Sequence, residues 1–443
     1  MSNKMNKELI TYRKNKKEII IKCLNRLEES SSLSSEGKPK ITLSFYYYFI
    51  KEIFLENIIF FNDLPESTRR KILHLSISRW IKYKKVDNPN QKIKLFLNAV
   101  NYEYKKAVNQ IRKYSVLMFL NIDRNSIKDF WDISILGETQ KLISWNDIPK
   151  FGIQNLWEII NLQNKNNSIL IKEIETDKPT PDIFTFTPFL YEVKTFDSGA
   201  ALEIASEKLD LFRAIVNMSL VIHRYTYFRS EPIALSKILP SPIYVILCDN
   251  KIDNIYSPVD KYKYKNESVP NNKLDFIKSL TSKFEVTPQA KSTWNFLRSI
   301  LLLYQNSLDI VSPEFTFLSI WQVLENCLTL NETSINNQQI LTRVKQLINC
   351  DPFVLEMVEI LINTRNKYVH KGSYLEEGDS LLFNLKIITD EVIYQLIRLA
   401  EIYPSMPELQ EYFSLNSLGN SDLKRKVNVI ESILKIRNFT DNL

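Results

Sequence analysis

Glycine is scarce in this sequence: it occurs only seven times in 443 residues and never as Gly-x-Gly. The backbone cradles that hold nucleotide phosphates in P-loop and dinucleotide sites are built from closely spaced glycines. ATP- or NAD-dependent chemistry of those types is therefore not expected.

Long apolar runs are also missing. A membrane helix needs about 18 to 20 consecutive apolar residues, and the longest runs here are short pieces such as "SILLLY". The first 27 residues are basic but lack the apolar core and cleavage site of a secretion signal. These absences predict a cytoplasmic protein that does not bind membranes.

Cysteine gives no sign of a metal centre. The four cysteines lie far apart, without paired zinc spacing or the density of a disulfide framework: Cys23, Cys248, Cys327 and Cys350. We expect buried thiols in a reducing compartment, and neither a metal nor another cofactor.

The charge balance is mildly basic. The chain has 58 basic and 51 acidic residues, a net charge of +7, and 44% hydrophobic residues. The hydrophobic content is typical of a folded protein. So small a basic excess is compatible with a phosphate-rich partner but does not demonstrate one.

The hydrophobic patterns divide the chain into two parts. Mainly helical spacing, including residues 92–120, gives way to short β-branched and aromatic strands between 168 and 250, around a helix at 198–219. Beyond a polar stretch, helical segments are predicted at 287–310, 313–330, 336–349, 352–371, 380–402 and 421–438. The predicted fold class is α+β and mainly helical, with an N-terminal α+β domain followed by a C-terminal all-α bundle. The predicted divisions are a basic helical arm at 1–30, an α+β domain at 41–256, a linker at 257–273, a helical domain at 274–403 and a helical extension at 404–443.

One segment breaks the hydrophobic pattern of its helix. "DPFVLEMVEILINTRNKYVHKG" has the punctuation of a complete helix, with Asp351 as N-cap, Pro352 at the first position and Gly372 at the C-terminal cap. Arg365 falls on the apolar stripe of that helix, formed by Val354, Val358, Leu361 and Val369. Because a desolvated unpaired charge is costly, Arg365 needs an anion, a partner surface or a route to solvent.

His370 lies in the last turn of the same helix. At about 100° per residue, Arg365 and His370 point roughly 140° apart, so one straight helix does not readily bring both to one point. Fraying of the last turn or a second copy of the helix would close that gap. The alternative is structural: Arg365 pairs with a carboxylate, and His370 interacts with the helix C-terminus, where a cation is favoured.

The segment "RNKYVHKG" resembles the R-N-x-x-x-H signature of HEPN-domain proteins, in particular the Apea-like group. The upstream "FTFLSIWQVLENCLTL" has an aromatic-rich face and carries Glu325 near its end, and it resembles the helix that precedes the motif in that group. The resemblance covers roughly residues 275–402.

The resemblance implies a metal-independent endoribonuclease that acts as a dimer with its two motif helices facing each other. His370 would be the general acid or base, Arg365 would hold the scissile phosphate, and Asn366 would orient these groups or contact RNA. Glu325 and Lys371 would support the site. The resemblance also implies tRNA or another RNA as substrate, an antiviral abortive-infection or toxin role, and an activating trigger acting through the N-terminal half.

Two other functions stay open. The C-terminal domain is alternatively a catalytically silent module for RNA binding or dimerisation. In the N-terminal part, Asp182, Glu192 and Lys194 fit a PD-(D/E)xK pattern, in which two carboxylates and a lysine bind magnesium and activate water. That signal is weak, because half-exposed strands generate E-x-K easily. His74 and His223 have no partner at metal or triad spacing and are predicted to be structural.

Overall fold

The computed structural model describes residues 10–36, 38–41, 44–60, 64–82, 86–127, 132–135, 138–142, 186–220, 234–256, 267–284, 292–330, 335–348, 352–371, 378–416 and 418–440. The helices in these ranges are α1 Lys17–Ser30, α2 Ser44–Asn57, α3 Glu66–Trp80, α4 Pro89–Val108, α5 Ser198–Ser219, α6 Asn271–Lys283, α7 Ser292–Leu308, α8 Pro313–Thr329, α9 Asn337–Ile348, α10 Pro352–Lys371, α11 Gly378–Ile402, α12 Met406–Asn416 and α13 Asn420–Thr440. The strands are β1 Ile10–Tyr12, β2 Ser31–Leu33, β3 Pro39–Ile41, β4 Ile58–Phe60, β5 Arg112–Leu120, β6 Asp132–Ile135, β7 Glu138–Leu142, β8 Thr187–Thr195, β9 Tyr244–Cys248 and β10 Lys251–Tyr256. The predicted fold class, mainly helical α+β, is confirmed.

The first four helices enclose a core of their own. Leu24, Phe54 and Phe96 are fully buried in it, and the rings of Phe54 and Phe96 lie 4.6 Å apart. α4 begins at Pro89 because the side chain of Asn88 accepts hydrogen bonds from the first free backbone N–H groups of the helix. α1 lies within the predicted basic arm, and its apolar face belongs to this core.

A six-stranded antiparallel sheet follows, with the strand order β10-β9-β5-β8-β7-β6. The long strand β5 is central: it pairs with β8 on one side and with β9 on the other. α5 packs against the sheet, with the rings of Phe189 and Phe212 5.9 Å apart in a shared core.

The helical interpretation of residues 92–120 was wrong beyond residue 108, where α4 ends and β5 soon begins. Residues 116–120 of β5 are all fully buried. A strand that is buried on both faces has no alternation of apolar and polar residues, so its sequence resembles that of a buried helix. The apolar periodicity of α4 therefore appeared to continue into the strand.

The second half of the described chain is a helical bundle built around α8. Trp321, Leu324 and Leu328 of α8 are buried among the surrounding helices. The predicted segments from 287 to 402 correspond to α7 through α11, and the last one to α13, whereas no separate helix was predicted at α6 or α12. No helix in the described ranges is long and apolar enough to cross a membrane.

A buried ionic network joins the sheet region to the bundle. The side chain of Arg213 in α5 is fully buried; its Nη1 donates to Asp210 (2.7 Å) and its Nη2 to Asp309 after α7 (2.6 Å). Its Nε donates to the carbonyl of Ile238 at 3.1 Å. The hydrophobic core is also continuous across this junction. The domain boundaries drawn from the sequence stay predictions.

Three of the four cysteines, Cys23, Cys248 and Cys327, are buried free thiols, as expected. Cys350 lies outside the described residues. Burial raises the pKa of the Cys23 thiol to about 11, so the group stays protonated near neutral pH.

Candidate functional site

Four of the five candidate residues lie on α10, which begins at Pro352 as predicted, and the fifth, Glu325, lies on α8. The inner face of α10 is formed by Val358, Leu361 and Ile362, which are buried in the bundle. Val354 is half-buried, but Val369, the last member of the predicted stripe, is 55% exposed. The apolar stripe therefore ends near Arg365. Asp351 and Gly372, the predicted caps, lie outside the described residues.

Arg365 lies at the edge of the bundle and bridges two helices. Its Nη2 is 3.6 Å from Oε1 of Glu325 on α8, and its Nη1 donates to Oδ1 of Asn366 at 3.2 Å. The Arg365 and Glu325 side chains are 34% and 31% exposed. The guanidinium thus reaches solvent and has a carboxylate partner. These two features explain how a charged side chain is accommodated on the apolar stripe of α10. A guanidinium carries five N–H donors, more than these two contacts engage.

An aromatic contact fixes the end of α10 against α8. The ring of Tyr368, one turn beyond Arg365, stacks on Phe317 with centroids 5.5 Å apart and planes inclined by 29°. Since Phe317 and Glu325 both belong to α8, the last turns of α10 are held by one ring contact and one ion pair. These two contacts between α8 and α10 limit the positions that the Arg365 guanidinium can take.

His370 and Lys371 occupy the final turn of α10, and their side chains lie outside the described residues. Arg365 and His370 are five positions apart along the helix, which corresponds to a rise of about 7.5 Å and a rotation of about 140°. The described site therefore brings together Arg365, Asn366 and Glu325. A cation at the C-terminal end of a helix is favoured by the helix dipole.

The rival magnesium site is described in part. Glu192 and Lys194 lie on β8, with Glu192 partly exposed and Lys194 exposed, and Asp182 lies outside the described residues. Oε1 of Glu192 is 2.9 Å from Nζ of Lys113 on the neighbouring strand β5. Within the described ranges, no three His, Cys, Asp or Glu side chains are grouped closely enough to hold a metal ion.

The reasoning from sequence missed a polar cluster at the wall of a cleft. Lys386 of α11 is 4% exposed and its Nζ lies 2.5 Å from Oδ2 of Asp390, while the buried Tyr304 donates to Oδ1 of Asp390 at 2.5 Å. Burial, reinforced by Asp390, raises the pKa of Tyr304 well above its usual range. The cleft is about 490 Å³ in volume and is also lined by Phe276 and Tyr394. Two opposite charges four residues apart in the apolar segment "LLFNLKIITDEVIYQLI" were the available signal.

His74, predicted to be structural, is held by a hydrogen bond between its Nδ1 and the hydroxyl of Tyr47. Partial desolvation of the ring, with a smaller contribution from the nearby charge of Lys51, lowers the pKa of His74, although the residue as a whole is exposed. His223 lies outside the described residues.

Comparison with known proteins corrects the family resemblance. The family model that matches this chain is that of the necrosis inducing protein (NPP1), over residues 51–173. The match lies in the N-terminal half, so assigning the chain to the HEPN family through its C-terminal half was wrong. No curated protein and no solved structure matches the chain. The matched segment covers little more than a quarter of the chain and runs from α2 to beyond β7.

Proposed function

We propose that the protein is a metal-independent endoribonuclease whose site is centred on Arg365 and His370. The observation that carries the proposal is the setting of Arg365. This guanidinium lies at the edge of an apolar helix face, is partly open to solvent, and is oriented by Glu325 and Asn366. An oriented, solvent-accessible guanidinium suits a phosphate, which it can bind through two parallel hydrogen bonds.

The proposed chemistry is transesterification within RNA. His370 removes the proton from a 2′-hydroxyl, and the 2′-oxygen then attacks the adjacent phosphorus. The bond from phosphorus to the 5′-oxygen breaks, and a protonated imidazole or water returns a proton to the leaving oxygen. The products are a 2′,3′-cyclic phosphate and a 5′-hydroxyl. Arg365 stabilises the extra negative charge of the pentacoordinate phosphorus.

Three further residues have supporting roles in this proposal. Glu325 positions the Arg365 guanidinium, Asn366 orients it or contacts RNA, and Lys371 adds affinity for phosphate. No step requires a metal or another cofactor.

The angle between Arg365 and His370 supports a site that is shared between two copies. Side chains about 140° apart on one helix do not converge on one phosphate. A two-fold arrangement that brings two α10 helices together supplies Arg365 from one copy and His370 from the other. The proposed active form is therefore a homodimer, with RNA such as tRNA as its substrate and a trigger acting through the N-terminal half.

The test is cleavage of end-labelled single-stranded RNA by the purified protein in EDTA. Cleavage is expected in the wild type and is expected to disappear in Arg365→Ala and His370→Ala. Lys367→Ala provides the matched control, because Lys367 is an exposed cation on the same helix. Unchanged cleavage in both site variants would refute the proposal.

A catalytically silent RNA-binding module is the second candidate. The ion pair between Arg365 and Glu325 favours it, since a guanidinium with a carboxylate partner can serve structure alone. Retained RNA binding without cleavage, with binding weakened in Arg365→Ala, would support this candidate. The third candidate, a magnesium nuclease, predicts cleavage that EDTA abolishes and that depends on Glu192 and Lys194.

The family match adds a different candidate, a protein that causes cell necrosis, as the description of that family states. Expression of the protein in a host cell distinguishes necrosis-inducing activity from RNA cleavage. Toxicity that persists in both Arg365→Ala and His370→Ala would favour a necrosis-inducing activity in the N-terminal half. Toxicity that both substitutions abolish would favour RNA cleavage.

A further inference from the structure

The last described helix, α13, exposes a series of aliphatic side chains to solvent. Their exposed fractions are Val427 50%, Val429 53%, Ile430 53%, Ile433 44% and Leu434 52%. Leu423, near the start of the helix, is half-buried beside Tyr412 of α12 at a shared cleft. Exposed apolar surface of this kind can be a binding site for another protein. The spacing of the apolar residues and the charges beside them indicate which partner fits.

The spacing of four of these residues is that of a coiled-coil seam. Leu423, Val427, Ile430 and Leu434 follow one another at intervals of four, three and four residues, as alternating d and a positions of a heptad do. They form one stripe along the helix. Val429, equally exposed, lies about 200° from Val427 and therefore outside the stripe.

The charges beside the stripe match a second copy of the same helix. Lys424 and Glu431 are exposed and seven residues apart, so both occupy e positions of the heptad. In an antiparallel pair, e positions face each other across the seam. If Leu423 faces Leu434 of the second copy and Val427 faces Ile430, then Lys424 faces Glu431, and two-fold symmetry repeats each contact.

We propose that α13 pairs with α13 of a second copy of this chain as an antiparallel two-helix coiled coil. In a parallel pair, Lys426 of one copy would face Glu431 of the other. The rest of both copies would then lie at the same end of the coiled coil. In the antiparallel register, the N-terminal ends of the two helices lie about 25 Å apart along the axis, and the helix dipoles oppose each other. This interface is separate from the proposed nuclease site on α10.

The first experiment compares two equivalent valines in the full-length protein by sedimentation equilibrium. Val427→Asp places two carboxylates in the seam and is expected to raise the dissociation constant of the dimer by at least about a hundredfold. Val429→Asp, the matched control, is expected to leave it unchanged. A monomeric wild type at high micromolar concentration, or equal effects of the two substitutions, would overturn the proposal.

The second experiment tests the register without altering the apolar seam. Lys424→Glu and Glu431→Lys are each expected to weaken self-association on the order of tenfold, because each creates two like-charge contacts. Mixed together, these two variants are expected to form heterodimers, in which every contact is again between opposite charges. Full self-association of Lys424→Glu, or association of Glu431→Lys with Lys426→Glu instead, would refute the antiparallel pairing.

Discussion

Replacing Arg213 by methionine is predicted to destabilise the junction between the sheet and the bundle. Methionine is similar in length and keeps the helix propensity of the site, but it leaves Asp210 and Asp309 without their cation. Removing one partner of a buried ion pair costs about 3–5 kcal/mol of unfolding free energy. Since the two carboxylates are 26% and 16% exposed, the lower end of that range, about 3 kcal/mol, is expected.

The pH dependence of this destabilisation has a definite sign. Burial already raises the pKa of Asp210, and the loss of the adjacent positive charge raises it further. A carboxyl whose pKa is raised in the folded state keeps its contribution to stability below the unfolded pKa, about 4, and loses it as the pH rises. The deficit of Arg213→Met is therefore larger at pH 7 than at pH 4.

The assay is urea unfolding followed by tryptophan fluorescence at both pH values. Arg26→Met is the control, because Arg26 forms an exposed pair with Glu29 at 3.1 Å and should cost at most about 1 kcal/mol. Adding Asp210→Asn and Asp309→Asn to Arg213→Met should restore part of the stability. Surface substitutions usually change the free energy of unfolding only slightly. If Arg213→Met likewise lowers it by less than about 1 kcal/mol at pH 7, the network does not stabilise the junction.

Three further predictions concern other parts of the molecule. His74 should titrate below its ordinary pKa of about 6.5 in NMR spectra, with His74→Gln identifying its signal, since the sequence has only three histidines; a midpoint at or above that value would contradict the expected lowering of its pKa. Cys23 should be alkylated slowly at pH 8 and faster as the pH approaches its pKa of about 11, and rapid alkylation at pH 8 would show that the thiol is accessible. Phe54→Ala should lower the free energy of unfolding by about 3–5 kcal/mol in thermal or urea unfolding, because Phe54 is fully buried against Phe96. A loss below about 1 kcal/mol would mean that this core is loosely packed.

The helical half of the fold was predictable from sequence because its signals are local. Pro352 marks the start of α10, and apolar residues at helical spacing mark α7 through α11. The central strand β5 was not predictable in this way. Its neighbours β8 and β9 lie far along the chain, and burial on both faces removes the alternation that identifies a strand.

The candidate site could be predicted from sequence only because a charged residue lies on the otherwise apolar face of one helix. Arg365 on an apolar stripe required a partner, and Glu325 on α8 is within 3.6 Å of it. Lys386 and Asp390 gave the same kind of signal, but their burial with Tyr304 depends on the packing of α7 against α11. A motif of six residues was too short to establish a family, and the match at residues 51–173 lies elsewhere in the chain.

We propose that Arg365 and His370 cleave RNA through its 2′-hydroxyl. The most direct measurement is cleavage, in EDTA, of two oligonucleotides that differ only by a 2′-deoxy substitution at the mapped cleavage position. We predict that the all-ribose strand is cut to a 2′,3′-cyclic phosphate end and that the substituted strand stays intact. Equal cleavage of both strands, or cleavage that persists in His370→Ala, would contradict the claim.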